Sequence, residues 1–342
     1  MKKIPYLSPV IAKAVDRIVK KGKVNLVTHS SNFHADDICA TATLKQFFAL
    51  AFPKIKITST RSIDPKVMAA ADILYDNGAV YDPKTLRFDH HQTGGAGMRE
   101  NGVKYSSFGL VWKYFGVSLC ALHTQATTGK LPSKKIAEHQ AAIIEKKVVF
   151  HIDAMDNGQM TYEPLIDGCD VLTLDKFFEM SKIRVGGTQE NIKQVNKNFD
   201  SQFQKMVKLF GQMLLTILSY AVTKEVDETL GEKMYAKAKD KRVIICDRFV
   251  YFNYSKYPEP LLVVYPDPRG GWAAKNVRLD EALYKGRFYF PESWRGKTNG
   301  ELIQITGIPG ARFCHNAGFM IAADTKEQVL KMIDLAFKTE RI

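Results

Sequence analysis

No two of the five cysteines, Cys39, Cys120, Cys169, Cys246 and Cys314, stand at the C-x-x-C spacing. An odd, scattered set argues against a disulfide framework or a thiolate zinc site and fits a reducing compartment, with most of these thiols as small core residues. Long apolar runs are scarce as well. The longest, Leu209 to Val222, is interrupted by Gln212, Thr216 and Ser219 and follows Lys205 and Lys208. It reads as a core helix, so no stretch is expected to span a membrane. Met1 to Lys23 is basic but has no signal-peptide apolar region or cleavage site, and Asp16 disfavours a transit peptide, which makes cytoplasmic residence the expectation. Internal repeats and low-complexity tracts are missing too.

What is present describes an ordinary globular chain: 342 residues, 45% hydrophobic and 25% charged. That length suits two domains and allows a large core without staples. The formal net charge of +13 points to an anionic partner, although a generally solvated basic surface would give the same sum. Arginines gather late in the chain, at Arg242, Arg248, Arg269, Arg278, Arg287, Arg295 and Arg312. Arginine suits bidentate phosphate contacts. Arg287, Arg295 and Arg312, near Gly307 to Gly310 and His315 to Gly318, could grip a phosphate or a nucleotide end. Plain turns and surface ion pairs explain the same residues equally well.

The first part of the chain alternates strand-like and helix-like segments. Val24 to Val27 is a buried strand ending in Thr28-His29, and Ala35 to Ala51 is a helix. Ile55 to Thr60 and Asp72 to Asp76 are further strands, and Arg87 to Asp89 precedes His90-His91. This pattern implies an α/β fold with a doubly wound, mostly parallel sheet, whose ligands sit beyond the carboxyl ends of the strands. Thr93 to Gly102 is a Gly-rich loop, Tyr105 to Phe115 and Ser133 to Phe150 are helical, and His151 to Gly158 reads as a strand-to-loop segment. From Leu172 to Ala238 the chain is largely helical. Strands at Val243 to Cys246 and Leu261 to Tyr265 and helices at Gly300 to Thr306 and Lys326 to Phe337 form a second, α+β domain. The boundary is placed near residue 170, giving domains 1–170 and 171–342.

Four groups of potential metal ligands fall in the first domain: His29 with His34, Asp36 and Asp37; Asp76; Asp89 with His90 and His91; and Asp153 with Asp156. Singly, each has a bland explanation. Asp36 and Asp37 stand where a helix begins, and Asp76 precedes an Asn-Gly turn. Together they are harder to dismiss, because half of the eight histidines fall in two tight groups at strand ends. Imidazole and carboxylate without thiolate favour manganese or a similar ion over structural zinc. Two ions about 3.5–4 Å apart would need a bridging carboxylate and roughly six ligands, which these groups supply.

Three strings carry a resemblance: Thr28-His29-Ser30-Ser31-Asn32-Phe33-His34-Ala35-Asp36-Asp37, then Asp76-Asn77-Gly78-Ala79-Val80-Tyr81-Asp82-Pro83, then Phe88-Asp89-His90-His91-Gln92. They are joined by Tyr105-Ser106-Ser107-Phe108-Gly109-Leu110-Val111-Trp112 and Ile152-Asp153-Ala154-Met155-Asp156-Asn157-Gly158. Pro291-Glu292-Ser293-Trp294-Arg295-Gly296, Gly307-Ile308-Pro309-Gly310 and His315-Asn316-Ala317-Gly318-Phe319 complete the set. In this order they resemble the melanocyte-proliferating-gene (MYG) family, a branch of the DHH phosphoesterases. The resemblance implies a DHH-type fold, a centre of two divalent ions (Mn2+ or Mg2+) and 3′–5′ exonuclease activity on RNA. It offers His29, His34, Asp36, Asp76 and His90 as ligands, with Asp76 bridging. His91 would face the scissile phosphate, and Asp89 would orient the His pair. The last ligand is Asp153 or Asp156, with Asp156 favoured.

The expectation is therefore a metal-dependent phosphoesterase acting on RNA or an oligonucleotide, with Arg287, Arg295, Arg312, His315 and Gly318 binding substrate. No membrane partner is expected, and a homodimer is left open. A phosphodiesterase or pyrophosphatase for small substrates, or a nucleic-acid-binding protein with a structural metal, are the alternatives.

Overall fold

Short strands alternate with helices through the first half of the chain. The computed structural model describes residues 4–159, 161–163, 166, 168–182, 192–280 and 285–340. The chain forms two compact units, Met1–Val222 and Thr223–Ile342. Helix α1 (Pro9–Val19) starts at Ser8, whose hydroxyl accepts from the Ile11 N–H, and carries proline at its first position. Its Ile11, Ala14, Val15 and Ile18 recur at helical spacing and are buried. Then follow β1 (Lys23–Thr28), α2 (Ala35–Ala51), β2 (Lys56–Arg61), α3 (Pro65–Ala69), β3 (Ile73–Tyr75), β4 (Tyr81–Asp82) and β5 (Arg87–Phe88). The strands order as β2-β1-β3-β5-β4. All pairings are parallel except the β4–β5 edge.

Side chains alternate across this sheet as the two-residue strand period requires. Val24, Leu26, Ile73, Tyr75 and Phe88 join α1 and α2 in one core. Helices α4 (Ser107–Thr128), α5 (Lys134–Ile144), α6 (Phe150–Asp156) and α7 (Leu174–Met180) complete that side, with the first part of α8 (Ile192–Lys237). The opposite face is thinner. Val27, Ala71 and Leu74 meet Val67 and Met68 around α3, and the Thr58 hydroxyl donates to Asn25. The expected α/β class with a parallel sheet is present, but its winding is lopsided because polar residues occupy part of that second face.

The second unit carries β6 (Val243–Ile245), β7 (Leu262–Pro266), β8 (Trp272–Asn276), α9 (Asn299–Thr306), β9 (Ala311–Cys314), β10 (Met320–Ala323) and α10 (Lys326–Glu340). Its sheet runs β6-β7-β8-β10-β9, antiparallel except for β6–β7.

Two expectations are corrected. The boundary falls at residues 222/223 rather than near 170, because Phe203, Val207, Phe210, Leu214, Leu218 and Ala221 of α8 belong to the first core. Residues 151–156, read as strand-to-loop, are helix α6, which continues α5 through a π turn at Glu145–Val149. Helix α8 is long and apolar enough, by length and composition alone, to cross a membrane. Its buried stripe is nonetheless that of a helix packed on a protein core.

Candidate metal centre

The ligand-type residues converge because the parallel strands end together. His29 follows β1, Asp76 follows β3, and Asp89, His90 and His91 follow β5. This is the carboxyl edge at which open parallel sheets bind ligands. Helix α2 adds Asp36 and Asp37 in its first turn, and α6 ends on Asp156. Three overlapping groups have ligand atoms all within 4.8 Å of one another: Asp76, Asp89, His90 and His91; His29, His34 and Asp76; and His34, Asp36 and Asp156.

Asp76 lies at the middle. Its Oδ2 is 3.1 Å from His29 Nε2, while its Oδ1 is 3.4 Å from His90 Nε2 and 3.5 Å from His91 Nδ1. Its backbone has φ of 50°. Left-handed backbone is uncommon for a side-chain-bearing residue and persists where the surroundings enforce it. His90 Nε2 also lies 3.2 Å from Asp156 and 3.8 Å from Asp36. Asp37 Oδ2 is 3.3 Å from His29 Nε2, and its other oxygen accepts from the His34 N–H at the helix start.

These contacts are close without being satisfied. Both oxygens of Asp36, Oδ2 of Asp37 and Asp76, and Nε2 of His90 are buried with no hydrogen-bond partner. Buried polar atoms are seldom left so. Five unpaired atoms in and beside these overlapping groups fit cation binding, and the donor set is that of a hard or borderline divalent ion.

The proton affinities fit the same reading. Burial opposes charge on His29, but Asp37 and Asp76 outweigh it and raise its pKa to about 10. Burial, with Asp156 and Asp76 nearby, pushes the Asp36 carboxyl well above the carboxylate range. Burial and Asp76 raise Asp156 to about 7. Burial also opposes ionisation of Asp76, yet His29 and His90 hold it well below the usual range. Without a cation, protons on the imidazoles neutralise Asp76.

Asp89 is spoken for. Its Oδ1 accepts from the backbone N–H of His90 (2.7 Å) and His91 (3.2 Å) and contacts His91 Nδ1 at 2.8 Å, while Oδ2 accepts from Ala79 N–H at 2.5 Å. It orients the imidazole of His91, whose side chain is 60% exposed, leaving Nε2 outward.

The structure separates the two late aspartates. Asp156 joins the cluster. Asp153 does not: its Oδ1 accepts from Ser106 Oγ (2.5 Å) and Gly109 N–H (2.9 Å), and its Oδ2 accepts from Arg99 Nη1 (2.7 Å). A Cβ at Gly109 would lie 1.8 Å from Asp153 Oδ2, so only glycine admits this carboxylate. Asp153 is thus corrected from ligand to anchor.

The substrate-binding expectations in the second unit fare differently. Arg287 is corrected: its guanidinium donates to the carbonyls of Ser255, Tyr257, Pro258 and Pro260, which leaves it a structural clamp. Arg295 donates from Nε to the Phe290 carbonyl at 3.0 Å, and Arg312 from Nη1 to the Gly270 carbonyl at 2.7 Å. His315 Nδ1 accepts from the Ala317 N–H, and Gly318 turns at φ of 67°. Arg295, His315 and Gly318 meet at the β9–β10 turn, whereas Arg312 lies at the other end of that hairpin beside Gly270 and Asp324, so the four do not converge on one ligand position.

Sequence reasoning missed several supports. Arg61 donates to the carbonyls of Ser31 and Asn32 and pairs with Asp200, holding the loop between His29 and His34. Arg99 was hidden in a Gly-rich loop. Asp175 and Lys182, around α7, line a cleft of about 580 Å³ with His34, His90, His91 and Asp156. No local signal marked them, since their role depends on where α7 packs.

A family model described as "Uncharacterised protein family (UPF0160)", MYG1_exonuc, matches residues 25–337. The chain belongs to this family, as the ordered motifs implied. The MYG1 protein C694.04c of Schizosaccharomyces pombe is 29% identical over 330 residues, 90% of this chain and 96% of that protein. The MYG1 protein of Dictyostelium discoideum is also 29% identical, over 90% of this chain and 95% of its own. The MYG1 exonuclease of Mus musculus is 26% identical, over 89% and 82%. Among solved structures, the chain is similar to RecJ in complex with Mn2+ from Thermus thermophilus at 12% identity and a TM-score of 0.26. That match covers 98% of this chain but 56% of the RecJ chain, and so slight a likeness carries no argument.

Proposed function

We propose that this protein is a metal-dependent phosphoesterase with a DHH-type site, binding two manganese ions and cleaving RNA from its 3′ end. The observation that carries the reading is the division of Asp76, one oxygen toward His29 and the other toward His90 and His91, amid buried atoms without partners. A bridging ligand must be a carboxylate, because imidazole has one free lone pair. His29, Asp37 and Asp76 would hold one ion. His90, Asp36, Asp76 and Asp156 would hold the other, with His34 between the two groups. Divalent ions held there supply Lewis acidity toward an attacking water and the phosphoryl oxygens.

The chain's own residues do the rest. Asp89 fixes His91 so that its outward nitrogen can meet a phosphoryl or leaving-group oxygen. The name of the murine relative, an exonuclease, supports the nuclease reading, and the net charge of +13 supports a polyanionic substrate. The engagement of Arg287 removes one argument for a long polymer. It favours, as a second reading, short oligonucleotides or dinucleotides. Chelator-stripped protein, with and without manganese, should be assayed against labelled RNA, DNA, a dinucleotide and pyrophosphate. Cleavage of RNA with manganese alone is expected. Hydrolysis at full rate by the stripped protein would refute the proposal, and preference for the dinucleotide would select the second reading.

A further inference from the structure

Lys182 is a lysine whose side chain is 2% exposed, at the end of α7. It lines the cleft that also exposes His34, His90, His91 and Asp156. Its ammonium lies 5.1 Å from the ring centre of Phe33 and pairs with Glu179, whose side chain is 44% exposed. Burial, helped by the Lys182 charge, holds the His34 imidazole below its ordinary range. The same cleft presents Asp156 and Asp175. Lys176, its other described lysine, is paired with Asp170 and lies 5.2 Å over the ring of Tyr162.

A buried ammonium is costly and is kept where an anion compensates it. Its present anion, Glu179, is the more exposed partner. An anionic substrate entering a cleft lined by carboxylates needs a cation on the wall facing them. A phosphoryl oxygen offers Lys182 the same charge-assisted bond that Glu179 does.

We propose that Lys182 is the phosphate-binding cation of this cleft, holding a phosphoryl oxygen of a nucleotide beside the metal ligands in exchange for Glu179. The proposal rests on the phosphoesterase reading and adds to it a subsite for the nucleotide phosphate. Glu179 then acts as a placeholder that keeps the ammonium positioned while the cleft is empty.

Manganese-loaded wild type, K182Q, K182R and E179Q should be titrated calorimetrically with adenosine 5′-monophosphate. Elemental analysis and a thermal melt on each would establish equal metal content and folding. K182Q is expected to bind about tenfold to a hundredfold more weakly. K182R should keep most of the affinity, and E179Q should bind at least as tightly as wild type. Wild-type affinity in K182Q would overturn the proposal and leave the phosphoesterase reading standing. Equal weakening of K182Q and E179Q would also overturn it, showing the pair to be a brace for α7. A wild-type protein that loads manganese yet binds no nucleotide would overturn this subsite, while the phosphoesterase reading is decided separately by manganese-dependent RNA hydrolysis.

Discussion

Two adjacent histidines differ most in what they can reach. His90 points its Nε2 at Asp36, Asp76 and Asp156, whereas His91 is tied to Asp89 and faces outward. H90A should therefore lose both metal and turnover. H91A should keep at least one ion and lose about 10²–10⁴ in rate, the usual range for a positioned proton-transfer group. Metal content beside rate in the two variants decides the matter, and equal metal loss would merge their roles. D76N should lower occupancy more than D37N, since Asp76 serves both sides of the site. Protons are the competing ligand. The pKa of His29 is raised to about 10 and that of Asp156 to about 7, so near neutral pH the metal-free site retains protons that a cation must displace. Manganese affinity should thus climb as pH rises through 7 toward 10 and fall on acidification, with proton release on binding. Calorimetry in buffers of different ionisation enthalpy measures that release directly.

At the scale of elements, Arg99 braces the Gly-rich loop against the α5–α6 segment. Arg99 pairs with Glu145 (2.9 Å) and Asp153 (2.7 Å) and lies over the rings of Tyr105 (4.0 Å) and Phe150 (4.8 Å). R99A strands a buried carboxylate, so a loss of about 3–5 kcal/mol is expected in urea unfolding. Manganese occupancy should fall with it, because Asp156 sits one turn beyond Asp153. Unchanged occupancy in a folded R99A would show that α6 is placed by other contacts.

This is also where the sequence stops being readable. Ala35 to Ala51 could be delimited as a helix because its pattern is local, and the strand ends bearing His29, Asp76 and His90 because short apolar runs close on polar residues. Only the family resemblance favoured Asp156 over Asp153; the residues by themselves did not separate the two. Their difference lies in a glycine at 109 and an arginine at 99, neither of them a neighbour in the chain. The opposite error arose at Arg287. Its residue type and surroundings suited phosphate, but carbonyls about thirty positions earlier had already claimed it.

At the scale of the whole molecule, Arg287 and the metal cluster belong to different units. R287A should cost about 1–3 kcal/mol from carbonyls left unpaired, with nucleotide affinity and its salt dependence unchanged. Manganese at about a hundredfold its dissociation constant should add about 2.7 kcal/mol to wild type. The two effects should sum to within about 0.5 kcal/mol, since Arg287 and the metal cluster share no hydrogen-bond partner among the described residues. Denaturant unfolding of wild type and R287A, each with and without manganese, measures the sum. A coupling well above that limit would mean that the two units respond as one.

The π turn at Glu145–Val149 bears on what the chain can lose. A π turn closes over one more residue than an α turn, so it stores a spare position in the helix that leads to Asp156. Removing Lys147, which is exposed, would let the helix close normally while the segments on either side keep their facing. Removing Ala154 instead would rotate Asp156 by about 100° away from its partners. The first deletion should leave manganese occupancy nearly intact and the second should abolish it. Length variation in this helix is thus tolerable at one point along it and ruinous two turns later.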